Sequence, residues 1–263
     1  MDRVRETERR HPLFRDPYAR RLAGERGRRI ARALRRGRPS WPVVIRTAVF
    51  DELILRTVAR DGAACVLNFA AGLDTRPYRL DLPAELRWVE VDLPAILDYK
   101  TQQLGGERPC CRVERLAVDL TDGAARKWLL DRVAAAGPTL VVCEGLLVYL
   151  THEEAVALGR DLAERDDIRW LLALAGPLFL QWGARTVGRQ LAAARASFRF
   201  APEEGTDLFR PLGWEPVEVR SSWEEARRLG REPWLLRLVW ALSSPRRREP
   251  YRNISRYVFL GRR

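Results

Sequence analysis

Short apolar runs recur along this chain, and the intervals between them carry helical periodicity. The first is Cys-Val-Leu-Asn-Phe at residues 65–69. Further runs predict strands at 87–91, 111–117, 140–143, 169–175, 216–220 and 256–260, rich in the β-branched residues of doubly buried strands. Helical patterns at 76–80, 94–104, 123–135, 151–164, 184–196 and 223–230 separate most of them. That alternation predicts an α/β fold: a mostly parallel seven-stranded sheet, covered on both faces. The last two strands lie close together in sequence, which predicts an antiparallel pair at one edge. Upstream, Asp16 as N-cap and Pro17 in the first turn open a helix with Tyr18, Leu22, Ile30 and Leu34 roughly on one face. Gly24 and Gly27 weaken its middle. A second helix covers 43–60, and Gly62 stops it. The stretch 176–212 is too long for a simple loop and carries Phe179, Trp182, Phe198, Phe200 and Phe209, so it reads as an inserted lid.

Composition narrows the class. The 263 residues suffice for one large domain with a substantial core, at 46% hydrophobic content. Mean hydropathy is −0.30. No apolar stretch approaches the ~20 residues of a membrane span, and the N-terminus lacks the apolar run of a secretory signal, so a cytoplasmic location is expected. Cys65 and Cys143 fall in apolar runs and Cys110 adjoins Cys111, so reduced, mostly buried thiols are expected and no zinc spacing is present. With His11 and His152 as the only histidines, a histidine-rich metal site is excluded. The net charge of +12 invites a nucleic-acid reading. Against it, Lys100 and Lys127 are the only lysines among 47 basic residues, and the arginines are spread along the whole chain. That pattern favours a solvated basic surface and a small-molecule partner over nucleic acid.

Four features fall at the carboxyl ends of the predicted strands, where open α/β sheets bind ligands. The turn Asn-Phe-Ala-Ala-Gly-Leu-Asp-Thr-Arg-Pro follows the first strand; Asp92 ends the second; Asp119 and Leu120 follow the third; Glu144 follows the fourth. A dinucleotide would want a glycine-rich turn, whereas Gly72 here has Ala70 and Ala71 beside it, and acids around a pocket repel phosphate. The set suits a ligand with a ribose, an adenine amine and a cationic end, namely S-adenosylmethionine (SAM). Each residue also has a purely structural reading. Arg46 could be a solvated arginine, Asp92 and Asp119 could cap the helices that follow, and Asp74 or Thr75 could cap the helix near 76. Thr151 with Glu154 reads as a capping box, which leaves His152 in an exposed first turn. Glu144 directly follows an apolar strand, so it should be partly buried and need a partner.

The segments DPYARRLA, RTAVFDELI, VLNFAAGLDTRPYRL, VEVDLPAILDYK, AVDL and EGLLVYLTHEEA occur in that order. In order and spacing they resemble the leucine carboxyl methyltransferase family, and most closely its bacterial polyketide-tailoring-type O-methyltransferases. The resemblance spans nearly the whole chain. It implies a class I methyltransferase fold, a Rossmann-like sheet with an N-terminal helical cap, SAM as cofactor, and methyl transfer to a carboxylate or hydroxyl oxygen. By motif position it implies that Arg46 holds the methionine carboxylate, Gly72 lines the cofactor turn, and Asp92 binds the ribose. Asp119 and Leu120 would take the adenine and Glu144 the methionine amine. Ala70 stands where the family often has glycine. The expected layout is one domain over 1–263: a cap at 1–60, a cofactor half at 61–175, a lid at 176–212 and edge strands at 213–263. Tyr18, Tyr149, Phe179 and Trp182 are the candidate acceptor wall, for an apolar or aromatic metabolite. No catalytic base is identified. The competing classes are an NAD-dependent oxidoreductase and a non-catalytic protein that binds RNA or an anionic surface.

Overall fold

The computed structural model describes residues 1–33, 41–183, 197–233, 237 and 244–262. Its centre is a seven-stranded sheet in the order β3-β2-β1-β4-β5-β7-β6. The strands are β1 (Cys65–Phe69), β2 (Arg87–Asp92), β3 (Arg112–Ala117), β4 (Thr139–Cys143), β5 (Ile168–Ala175), β6 (Trp214–Ser221) and β7 (Ser255–Arg262). All seven predicted strands are present. Only β7 runs against its neighbours, and it is inserted between β5 and β6, so the reversed pair at that edge has β6 outermost. Strand order turns back between β1 and β4; β1 pairs in parallel with β2 on one side and with β4 on the other.

Side-chain alternation divides the core in two. Leu67, Phe69, Val89, Val91, Val141 and Cys143 face one side, where they pack with Trp170, Phe209 and Trp214. Val66, Trp88, Leu140 and Val142 face the other, beneath α3 (Trp41–Arg60) and its Ile45, Val49, Phe50 and Leu53. Phe200 and Phe209, counted above among the lid aromatics, belong to the first of these cores and are buried. Phe209 meets Trp170 edge-on at 5.2 Å. The predicted helix at 184–196 lies outside the described residues.

The N-terminal region departs from expectation at its start, while the next helix breaks at the weak point the sequence marks. A short helix, α1 (Asp2–Thr7), precedes the predicted one and docks through buried Val4 and Glu6. Glu6 is held by Arg231 at 2.7 Å and accepts the Leu13 N–H at 2.8 Å. The next helix, α2 (Ala19–Ala33), is kinked at Gly24, whose φ of 54° and ψ of −164° are not helical. The kink re-aims the second half, so Ile30 is exposed although Leu22 is buried. Asp16 accepts the Tyr18 N–H at 3.2 Å, ahead of the helix rather than as its N-cap.

The connecting helices that frame the crevice are α4 (Arg76–Arg79), α5 (Pro94–Gln103), α6 (Gly123–Val133) and α7 (His152–Ala163). Thr151 and Glu154 form the capping box of α7 in both directions. Among the described residues, no helix is long and apolar enough to cross a membrane.

Candidate active site

Register brings the candidate residues together. Phe69 pairs with Val91 on one side and Cys143 on the other, so the next position on each of the three strands is Ala70, Asp92 and Glu144. These continue the even-numbered positions of β1, β2 and β4, the face beneath α3, and α3 supplies Arg46 to the same place. A cavity of about 230 Å³ lies there, lined by Arg3, Arg46, Asn68, Ala70, Gly72, Asp74, Arg76 and Glu144 among others.

The turn after β1 is built for close approach. Ala70 (φ 51°) and Gly72 (φ 50°) both adopt left-handed backbone, and Ala70 is the one non-glycine residue to do so among those described. The turn is pinned to β2 by two bonds: the Ala71 N–H to the Val91 carbonyl at 3.0 Å, and the Gly72 N–H to Asp92 Oδ2 at 2.6 Å. Asp92 Oδ1 accepts the Leu93 N–H at 2.7 Å. Asp92 therefore ties the turn to β2 and does not cap α5, whose N-cap, Leu93, has no side-chain bond. Asp74 accepts the Arg76 N–H at 2.9 Å, and its other oxygen takes the Asn68 amide at 2.9 Å.

Arg46 and Glu144 face each other across the crevice, Nε to Oε1 at 2.9 Å. Gly145 makes this possible: at φ 85°, a Cβ there would stand 3.3 Å from the Arg46 guanidinium. Arg46 is thus an ion-paired cavity residue, and Glu144 has the partner its position demanded. The second oxygen of Glu144 meets Arg76 Nη1 at 2.6 Å. Burial opposes ionisation of Glu144, but the Arg76 and Arg46 guanidinium groups outweigh it and hold the carboxyl below the usual carboxylate range. Asp74 is lowered in the same way: burial opposes its charge, and Arg76, Lys100 and Arg79 overcome it.

Asp119 and Leu120 lie beyond β3, next to β2. Asp119 is exposed and accepts both the Thr121 N–H at 2.9 Å and its hydroxyl at 2.8 Å, which lowers its pKa; Leu120 is buried. The cap of α6 is Asp122, through the Ala124 and Ala125 N–H groups, and not Asp119.

Of the candidate acceptor wall, Tyr149, Phe179 and Trp182 come together around Phe198. Ring centroids are 5.4 Å apart for Tyr149–Phe198, 5.3 Å for Phe179–Phe198 and 6.3 Å for Phe179–Trp182. The chain runs from Glu144 to Tyr149, but none of these aromatic residues lines the cavity. Tyr18 stands apart from them, edge-on to Tyr78 at 5.8 Å, and does not line it either.

Three residues of the site escaped the sequence. Arg3 of α1 lines the cavity and donates to the Leu73 carbonyl at 2.7 Å. Arg76 is 2% exposed and lies beneath the cavity with Asp51 of α3, Nε to Oδ1 at 2.7 Å. In a chain whose basic residues are almost all arginine, nothing local marks Arg76 as buried. Among the described residues, no cluster of His, Cys, Asp and Glu could hold a metal ion.

A mostly parallel sheet with one reversed strand next to its edge, and a crevice at its switch point, are the features of the class I methyltransferase fold. The match to a family model settles which kind: over residues 1–163 the chain belongs to the leucine carboxyl methyltransferase family. A relative from Mycolicibacterium smegmatis, named as a candidate S-adenosyl-L-methionine-dependent methyltransferase, is 36% identical over 242 residues, 81% of this chain and 79% of the relative. Among solved structures, a DUF574 family protein from Streptomyces avermitilis is similar with a TM-score of 0.62 at 17% identity, covering 94% of this chain and 95% of that one. A candidate methyltransferase from Thermobifida fusca is similar with a TM-score of 0.60 at 17% identity, covering 94% and 93%. The two structures share the fold with this chain.

Proposed function

We propose that this methyltransferase transfers a methyl group from SAM to a carboxylate or hydroxyl oxygen of a small apolar or aromatic metabolite. One observation carries the reading: opposite charges, Arg46 and Glu144, meet beside a turn stripped of side chains, with Asp92 across that turn. A zwitterionic amino-acid end needs such a pair, its carboxylate on Arg46 and its ammonium on Glu144. Asp92 receives one backbone N–H on each oxygen, so each keeps acceptor capacity for a ribose hydroxyl. Asp119 and Leu120, at the end of the adjacent strand, would take the adenine. The residues present therefore fit SAM.

When bound, the cofactor supplies an electrophilic methyl group on a sulfonium. The protein's own work is positioning, which supplies most of the rate in an in-line displacement. Arg46 and Glu144 fix one end of the ligand and Asp92 its middle. Tyr149, Phe179, Trp182 and Phe198 offer a flat apolar wall that excludes water and orients a ring-bearing acceptor. A carboxylate acceptor is ionised at neutral pH and needs no base. Both histidines, His11 and His152, are exposed, and the His152 ring lies 6.1 Å from Phe200. The absence of a histidine among the cavity-lining residues supports a carboxylate acceptor.

The test is calorimetric titration with SAM. Losing a charge-assisted hydrogen bond costs ~1.5–3 kcal/mol, or roughly 10- to 150-fold in affinity. Asp92→Ala and Glu144→Gln should each weaken SAM binding by that order while the melting curve stays cooperative. Unchanged affinity in both variants would remove the cofactor site and the reading built on it.

A further inference from the structure

Arg76 is the most completely enclosed charge at the crevice, and the protein bears a cost to keep it there. It opens α4 and is 2% exposed, where an uncompensated guanidinium would be strongly destabilising. Its compensation comes from three directions. Asp51 of α3 takes Nε at 2.7 Å; Asp74 of the turn and Glu144 at the end of β4 take Nη1 at 2.8 and 2.6 Å. Asp51 is itself held by Arg79 at 2.7 Å. Apolar packing would join these elements at less expense, so the charge has to serve something else.

What it serves follows from the two oxygens of Glu144. Oε2 is bound by Arg76, which is buried and anchored at its far end by Asp51. Oε1 is bound by Arg46, whose side chain is 33% exposed. One oxygen is thus fixed by a rigid partner and the other by a partner that borders the cavity. Without Arg76, both oxygens of Glu144 could close on Arg46 as a bidentate pair. That closed pair is harder for a ligand's ammonium and carboxylate to separate than the single Nε–Oε1 contact.

We propose that Arg76 is a positioning residue that holds one oxygen of Glu144 and so limits its pair with Arg46 to a single contact, so that the crevice recognises the amino-acid end of its ligand as a zwitterion. This rests on the SAM reading above. It makes a claim that general support of the fold does not: Arg76 governs discrimination between ligands with and without that amino-acid end.

The experiment compares S-adenosyl-L-homocysteine with 5′-methylthioadenosine, which keeps the adenosine and the sulfur but lacks the ammonium and carboxylate. Both are titrated calorimetrically into the full-length wild type and Arg76→Met, with a thermal melt of each protein. Expected is a loss of roughly 10- to 150-fold for S-adenosyl-L-homocysteine, with 5′-methylthioadenosine affinity held within ~3-fold. Because Arg76→Met leaves three carboxylates facing one another, Arg76→Lys is measured alongside. It retains the charge but cannot span Asp51, Asp74 and Glu144, and should show the same selective loss at smaller size. Equal loss of both ligands would make Arg76 a support of the turn and overturn the proposal, as would retention of S-adenosyl-L-homocysteine affinity. A wild type that binds neither ligand overturns the cofactor reading, and this inference with it.

Discussion

Replacing Ala70 with glycine should stabilise this protein. Ala70 sits at φ 51°, where the Cβ of an L-residue crowds its own backbone at a cost of roughly 1–2 kcal/mol. The turn enforces that conformation from both sides: the Ala71 N–H is spent on Val91, and the Gly72 N–H on Asp92. Glycine removes the strain but enlarges the conformational freedom of the unfolded chain, which gives back ~0.4–1 kcal/mol. The net is a gain of about 0.5–1 kcal/mol, or ~1–4 °C in melting temperature for a domain of this size. Ala70 also lines the cavity, so removing its methyl should leave SAM affinity equal or tighter. Ala70→Val is the counterpart: a β-branched residue at positive φ should lose at least ~1 kcal/mol and weaken SAM. Urea denaturation of the three proteins at one pH gives the stabilities, and calorimetry the affinities. A glycine variant that melts below wild type would show that chain entropy dominates and that the strain argument is wrong.

Two further outcomes follow from the ionisation of the site and from burial. Asp74 and Glu144 both have folded pKa values below their unfolded ones, so their contribution to stability is complete above the usual carboxylate range and is lost as pH falls through it. Stability measured from pH 7 to pH 4 should therefore drop below about pH 5, and less steeply in Glu144→Gln; an identical slope in the variant would contradict the ionised, paired carboxylate. The thiols give an independent check of the core: Cys110 is exposed, while burial pushes Cys65 to about 11 and Cys111 and Cys143 to about 12. A thiol reagent at pH 8 should label Cys110 alone in the native protein and all four in denaturant, and rapid labelling of a second thiol would contradict the core as described.

The central strands were legible because they are buried on both faces, which writes them as continuous apolar runs. Cys65–Phe69 and Thr139–Cys143 are fully buried, and both were read within a residue. Order within the sheet was not written there. That β7 enters between β5 and β6 depends on pairings such as Leu172 with Val258, which leave no local trace. The short helix α1 failed for a related reason. Its anchor is Glu6, paired with Arg231 at the other end of the chain, so a helix of mostly charged residues carries no apolar stripe to announce it. Ile30 was misplaced because Gly24 breaks the periodicity on which its face was assigned.

At the site, the residues that end strands were found and those that support them were not, and the difference is physical. An acid at the end of an apolar strand is conspicuous because burying it unpaired is expensive; that argument alone required a partner for Glu144. It could not name Arg46, which arrives from α3, because any of the many arginines could have met the requirement. Arg76 is harder still, since in a chain whose basic residues are almost all arginine a buried one has no compositional mark. What distinguishes it is burial, at 2% exposure. Buried, it is retained only because Asp51, Asp74 and Glu144 converge on it, and their convergence fixes where Glu144 can point. The same three carboxylates explain why lysine would not serve there: a single ammonium cannot present the fork of donors that reaches α3, the turn and the end of β4 at once.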